Sequence, residues 1–266
     1  MPVAKQDYPV AKRKYHHGDL RRALLEAAWR LVAEKGLAAL TLREVARAAG
    51  VTHAAPYHHF PTRTALLDAL AEEAFTGLDR AMGEAKAGGA DGGQAAEMAT
   101  AADGDLAQIT TQPGEPPRGS HGLELLDRIG RAYVDFACSH PEQLQVMFRP
   151  RHPESEGPPP PALTEISAKA FDHLNDAVLA CQAQGLAPLG ESAELALSAW
   201  SLVHGFATLW SQGQLGALVA AGDCVSEGEA FAQQRDRLLR TLQAGWQASA
   251  AAQAAGAKGF SKPTNV

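Results

Sequence analysis

The chain has 266 residues, 45% of them apolar and 20% charged, with three cysteines and a formal net charge of −6. That composition excludes general disorder and a disulfide-stapled scaffold, and its length suits one large or two modest domains. The net charge argues against a nucleic-acid partner until it is divided: residues 1–65 hold 11 Lys and Arg against 5 Asp and Glu (+6), and the remainder holds 13 against 25 (−12). A basic head on an acidic body is the asymmetry expected when one end meets a polyanion.

Met1 to Tyr15 is basic but lacks the apolar core of a secretory signal, so residues 1–15 read as a flexible basic tail. Leu20, Leu24, Ala27, Ala28, Leu31 and Val32 recur at helical spacing, and Lys35-Gly36 closes that helix. Thr41-Leu-Arg-Glu44 reads as a capping box in which the two side chains cap each other's amides. It opens a second helix from Leu42 to Ala49, burying Leu42, Val45, Ala46 and Ala49, with Gly50 in the turn. Thr52 caps a short third helix from His53 to about His59, with Pro56 tolerated in its first turn. Phe60-Pro61 ends that element, and Thr62 caps a long fourth helix whose inner face carries Leu66, Leu67, Leu70, Ala74, Phe75, Leu78 and Met82. Helix, glycine turn and short second helix spell a helix-turn-helix, and Arg21, Arg22, Arg43, Arg47 and Arg63 decorate it.

Residues 87–118, rich in Gly, Ala, Pro, Asp and Thr, read as a disordered insert. Helical patterning returns over 119–248, interrupted at 153–161 and 222–229. Leu195 to Gly222 carries no formal charge over 28 residues, but its Ser, Thr, His and Gln side chains make it a buried helix rather than a membrane span. Residues 249–266 read as a second flexible tail. Cys138, Cys181 and Cys224 are isolated, which fits a reducing cytoplasm.

Four function classes can be weighed on the residues. The histidine clusters are His16-His17 and His53 with His58 and His59; adjacent histidines rarely chelate one metal together, and no Cys or carboxylate at helical spacing completes a set, so no metal is expected. No nucleophile elbow, phosphate loop or dinucleotide fingerprint occurs, so neither an enzyme nor a cofactor is expected. Trp200 and His204, four apart, share a helix face; they read first as core, with His204 satisfied by a buried partner, and second as ligand contacts. Phe136, Met147, Phe148, Phe171, Leu174 and Trp210 either line a cavity or fill plain core.

Thr41–Phe60, with the order Gly50-Val-Thr, then Tyr57-His-His-Phe60, then Thr62-Arg63-Thr64-Ala65-Leu66-Leu67, resembles the DNA-binding domain of TetR-family transcriptional regulators over about 50 residues. Trp200-Ser-Leu-Val-His204-Gly205, with Arg131–Pro141 and Met147-Phe148 upstream, resembles the subgroup whose ligand domain is named for a Trp-His-Gly motif. The resemblance implies an all-α homodimer: a flexible tail at 1–15, a three-helix DNA-binding head at 16–62, a connecting helix at 63–86, the insert at 87–118, a ligand-binding and dimerisation domain at 119–248 and a tail at 249–266. It implies base contacts from Arg43, His53, Ala54 and Tyr57, and phosphate contacts from Thr41, Thr52, His58, His59 and Arg63. Arg63 stands where Lys is more usual, and Ala54-Ala55 make no hydrogen bonds, leaving more of the readout to Arg43 and DNA shape. The implied ligand pocket takes Phe136, Met147, Phe148, Phe171, Leu174, Trp200 and His204, with Gly205 allowing close helix approach. The partners implied are double-stranded DNA with a palindromic operator, a second copy of the chain and an unidentified small-molecule effector, with no membrane. The expected function is a ligand-responsive repressor in the cytoplasm, associated with the nucleoid. The alternatives are a DNA-binding dimer without a switch and, remotely, a helical enzyme.

Overall fold

The structure, a computed structural model, describes residues 17–88, 121–215 and 226–259. Every regular element among them is helical. They are α1 (His17–Lys35), a 3-10 turn (Leu37–Ala39), α2 (Leu42–Ala49), a 3-10 helix (Ala55–His58), α3 (Arg63–Ala87), α4 (His121–Ser139), α5 (Pro141–Met147), α6 (Pro153–Glu156), α7 (Pro161–Ala183), α8 (Ser192–Ser211) and α9 (Glu227–Gly259). Two compact units divide between Leu70 and Ala71, inside α3. The head thus extends past residue 62 to take in the first two turns of α3, because Leu66, Leu67 and Leu70 are completely or almost completely buried. No helix among the described residues is long and apolar enough to cross a membrane.

In the first unit, α1 contributes Leu24, Leu25, Leu31 and Val32 to the core, and α2 adds Leu42, Val45 and Ala46. Ala49 is only half-buried. Thr41 Oγ1 accepts the Glu44 amide at 3.1 Å, which starts α2. The other half of the expected box goes elsewhere: the Glu44 carboxylate accepts a bond from Arg47 at 2.5 Å, and that guanidinium holds it below the usual carboxylate range. Gly50 ends α2 at φ +70°, a left-handed position that favours glycine, where its amide meets the carbonyls of Ala46 and Arg47.

The third element differs from its expected form. It is a single 3-10 turn from Ala55, not a helix from His53, and no side chain caps it. Thr52 contributes its carbonyl, which accepts the Ala55 amide at 3.0 Å. Pro56 has no N–H to give, so the turn closes through short-range bonds, Tyr57 to Ala54 and His59 to Pro56. The side chains of Pro56 and Phe60 anchor it in the core. Thr62 Oγ1 then accepts the Ala65 amide at 3.0 Å and starts α3.

In the second unit, α4 packs against α5, α7, α8 and α9. Its approach to α7 is a backbone contact: a Cβ on Gly122 would lie 2.7 Å from the Cys181 nitrogen and 2.8 Å from the Ala180 carbonyl carbon. The second half of α3 is tied to this bundle by polar contacts. His173 on α7 meets Asp79 at 2.9 Å, Lys86 meets Asp176 at 2.7 Å, and Arg128 on α4 donates to the Ala85 carbonyl at 3.0 Å. The expected tail at 249–266 begins too early, because α9 continues to Gly259. Its Ala-rich end favours helix, Trp246 and Ala250 are buried, and Gln253 Oε1 accepts the Leu189 amide at 2.7 Å. The tail at 1–15 and, past Gly88, the insert at 87–118 lie outside the described residues.

Candidate DNA-reading head and ligand cavity

The side chains expected to meet DNA all come from the 41–63 stretch. Arg43, Thr52, His53, Ala54, Tyr57, His58 and Arg63 are exposed, and His59 is half-buried. Tyr57 is 50% exposed and is the one large apolar side chain in the described head left open to solvent. Thr41 is exposed but already engaged as a cap. Two arginines hold the head together. Arg21 stacks over the buried Phe60 ring at 5.4 Å. Arg63 Nε donates to the Leu40 carbonyl at 2.7 Å and Nη2 to the Leu37 carbonyl at 2.9 Å, joining the start of α3 to the connection before α2. Nothing in the local sequence signals this role, because its partners lie 23 and 26 residues away.

The second unit holds a cavity of about 420 Å³ that is partly open to solvent, within the range of small-molecule sites. From α3 come Phe75, Leu78 and Met82, and α4 supplies Gly130 and Tyr133 among others. Phe171 and Leu174 of α7 face it from another side, as do Trp200 and Val203 of α8 and Leu239 of α9. No lining side chain is charged. Of the expected pocket residues, the structure brings Phe148, Phe171, Leu174 and Trp200 to this wall. Phe136, Met147 and His204 are not part of it. Phe136 lies over Gly77 of α3 and stacks on His140 at 4.8 Å. Met147 sits half-buried at the end of α5. Trp210 packs in a separate aromatic group with Phe206 and Phe231. Around Gly205, an added Cβ would meet nothing within 4 Å, so this chain makes no close helix approach there.

His204 stands behind the wall. Its ring lies against Phe148 at 4.6 Å and Trp200 at 5.0 Å, and its Nδ1 is 2.7 Å from the Tyr133 hydroxyl. Burial pushes the Tyr133 phenol up and the His204 imidazole down, keeping both neutral. Tyr133 is the residue that sequence reasoning left out. Its signal was present, since Leu126, Ile129, Gly130 and Tyr133 share one face of α4.

A pH dependence follows from His204. Its ionisation lies lower in the folded chain than in the unfolded one, near 6.5 for a free imidazole. Below about pH 6.5 the unfolded chain therefore binds a proton that the native site refuses, and stability falls as pH drops through that window. Melting temperatures between pH 7.5 and 5.5 should fall for the parent chain and fall less steeply for His204→Gln.

Around the cavity, α4 and α9 are joined by charges. Arg131 bonds Asp127 at 2.5 Å and also Asp236, and Arg235 bonds Asp135 at 2.5 Å. Among the described residues, no three His, Cys, Asp or Glu side chains converge on a metal position.

A helix-turn-helix head and a helical body around an apolar cavity are the architecture of a DNA-binding regulator. Comparison with known proteins makes this specific. The family model described as bacterial regulatory proteins, tetR family, matches residues 24–70, and that described as tetracyclin repressor-like, C-terminal domain, matches residues 126–230. A solved structure of a protein of unknown function from Rhodococcus sp. RHA1 is 31% identical, covers 87% of this chain and 100% of its own, and superposes with a TM-score of 0.58. FadR from Bacillus subtilis, solved in complex with stearoyl-CoA, is 14% identical and shares the fold over 84% of this chain and 98% of its own, with a TM-score of 0.55. The transcriptional repressor KstR2 of Rhodococcus jostii (strain RHA1) is 44% identical over 48 residues, which is 18% of this chain and about a quarter (24%) of that protein. The chain belongs to the TetR family and is a DNA-binding transcriptional regulator.

Proposed function

We propose that the chain is a homodimeric repressor that binds a palindromic operator and releases it when a small apolar molecule enters the cavity. The observation that carries this reading is the 420 Å³ uncharged cavity, one wall of which is Phe75, Leu78 and Met82 of α3. Arg63, at the other end of α3, is bonded into the head. A ligand that shifts α3 biases the heads, with a coupling of about 1–3 kcal/mol, or roughly 5–150-fold in operator affinity. Support for a second copy comes from α8, where Leu197, Leu202 and Leu209 are 52%, 38% and 41% exposed, and from the open space around Gly205 on α8 and Gly245 on α9. Two-fold pairing through these helices sets two heads on half-sites one DNA turn apart, about 34–36 Å. The packing of His204 between Trp200 and Tyr133 supports placing the body in the Trp-His-Gly subgroup. The regulator works on cytoplasmic DNA, without catalysis.

In the head, Arg43, His53, Ala54 and Tyr57 face bases, while Thr41, Thr52, His58 and His59 face phosphates. Arg43 reads a guanine through its O6 and N7. Arg43→Ala is therefore expected to relax preference at one position of each half-site by roughly 5–150-fold, the equivalent of about 1–3 kcal/mol. Selection of bound DNA from a random pool by both proteins measures this, and uniform weakening across all sequences would count against base readout. The same selection supplies the operator for the central test. Adding fractions of a cell extract to the complex should release the DNA, and retention with every fraction would defeat the ligand switch.

A further inference from the structure

We infer that Arg21 grips a backbone phosphate of the DNA and is held ready for it by the ring of Phe60. This rests on the head being the unit that meets DNA, and neither on the ligand switch nor on the base contacts proposed above. The other arginines of the head have their charge engaged or are placed elsewhere. Arg22 faces Glu26 at 3.8 Å and Arg47 faces Glu44 at 2.5 Å. Arg63 gives two nitrogens to carbonyls. Arg21 is exposed, and among the described residues its guanidinium meets no carboxylate and no carbonyl. Its described contact is a ring face: the guanidinium carbon lies 5.4 Å from the Phe60 centroid.

A cation over a ring face is attracted by the quadrupole of the ring and spends none of its N–H donors there. All five stay available, in the rigid fork that matches a phosphate. The neighbours of the ring set the place. Phe60 is buried and stands two residues after His58, the last residue of the 3-10 helix that carries the exposed Tyr57. The His59 ring lies 6.5 Å from that of Phe60. Because Phe60 is fixed in the core, the cation over it keeps one position relative to the turn that presents Tyr57 and His58. An unanchored arginine gives up its rotamer freedom when it binds; Arg21 has given up part of it on folding. It belongs to α1, which precedes the two helical elements of the motif, so its fork flanks the groove and meets the sugar-phosphate edge instead of the bases.

The test compares neutral variants at neighbouring positions of α1, in the full chain, on the operator recovered by the selection described above and across a salt series. Arg21→Met removes the charge and keeps a side chain that packs on the ring through its sulfur. Arg21→Gln is a second neutral variant should the first not fold. Arg22→Met, one residue away, removes the same formal charge. Arg21→Met should lose about tenfold or more in affinity for every sequence. It should also flatten the slope of log K against log salt by about 0.9 for each bound head. Arg22→Met should keep the parent slope. A methylphosphonate placed in turn at each backbone position of the operator should find a phosphate whose neutralisation weakens the parent chain and is silent in Arg21→Met. An unchanged slope in Arg21→Met would reduce Arg21 to a prop for Phe60. An equal change in both variants would make it part of a diffuse field, and a changed preference at one base position would make it a base reader. Each of these overturns the inference, as does a scan that finds no such phosphate. Parent-like preference in Arg43→Ala would sink the base assignments and leave the Arg21 result standing.

Discussion

Gly122→Ala is expected to lower the melting temperature by roughly 2–12 °C, the largest loss from an added methyl at any described glycine of the body. The new Cβ would lie 2.7 Å from the Cys181 nitrogen, 2.8 Å from the Ala180 carbonyl carbon and 2.9 Å from the Cys181 Cα. All three are backbone atoms inside α7, so no rotamer change relieves the clash, and α4 must move away. That movement strains the bond from the Gly122 amide to Gln184 Oε1, now 3.0 Å, and opens the contact on which Leu123, Leu126 and Val178 are buried. Overpacking of this kind costs about 1–3 kcal/mol. In a body of this size each kcal/mol corresponds to about 2–4 °C. Thermal melts of the two proteins at equal concentration would decide it, and a shift within about 1 °C would mean that the helices yield freely. The cavity should suffer too, because Leu126 of α4 and Leu174 of α7 both line it.

The caps of the head are legible in sequence because they are local chemistry. Thr41, Gly50 and Thr62 act on amides and carbonyls within four residues, so residue type and position are enough to place them. The short third element is different. Pro56 could sit in the first turn of an α-helix, but the 3-10 turn that forms instead buries Pro56 and Phe60, with Arg21 of α1 over the Phe60 ring. The cavity was legible only in part for the same reason. Phe148, Phe171, Leu174 and Trp200 stand out as large apolar residues at helical spacing, but so do Phe136 and Met147, which point elsewhere. Which of them faces the void depends on helix crossings fixed by Gly122 and Gly130, where a Cβ would meet Leu239 at 2.6 Å. Tyr133 and His204 are 71 residues apart, beyond any local pattern.

Arg63 offers the sharpest test in the head, because charge and geometry make opposite predictions. If its part is to meet a phosphate as a cation, Arg63→Lys should keep most operator affinity, and Arg63→Ala should weaken every sequence and reduce the salt slope by about one. The structure already commits two of its nitrogens to the carbonyls of Leu40 and Leu37. A guanidinium spans two carbonyls through its fixed fork, and an ammonium on a flexible stem does not reproduce that geometry. Those bonds lock the start of α3 to the residues just before the Thr41 cap, and so fix the setting of α2 and Arg43. Arg63→Lys is therefore expected to lose about tenfold or more in operator affinity while its salt slope stays near that of the parent. Loss of the pair should also destabilise the head by about 1–3 kcal/mol, a range held down because the side chain is exposed. Binding measured across a salt series, with hydrogen exchange of the Leu37–Leu42 amides alongside, separates the two roles. Full affinity in Arg63→Lys with unchanged exchange would return Arg63 to the phosphates alone.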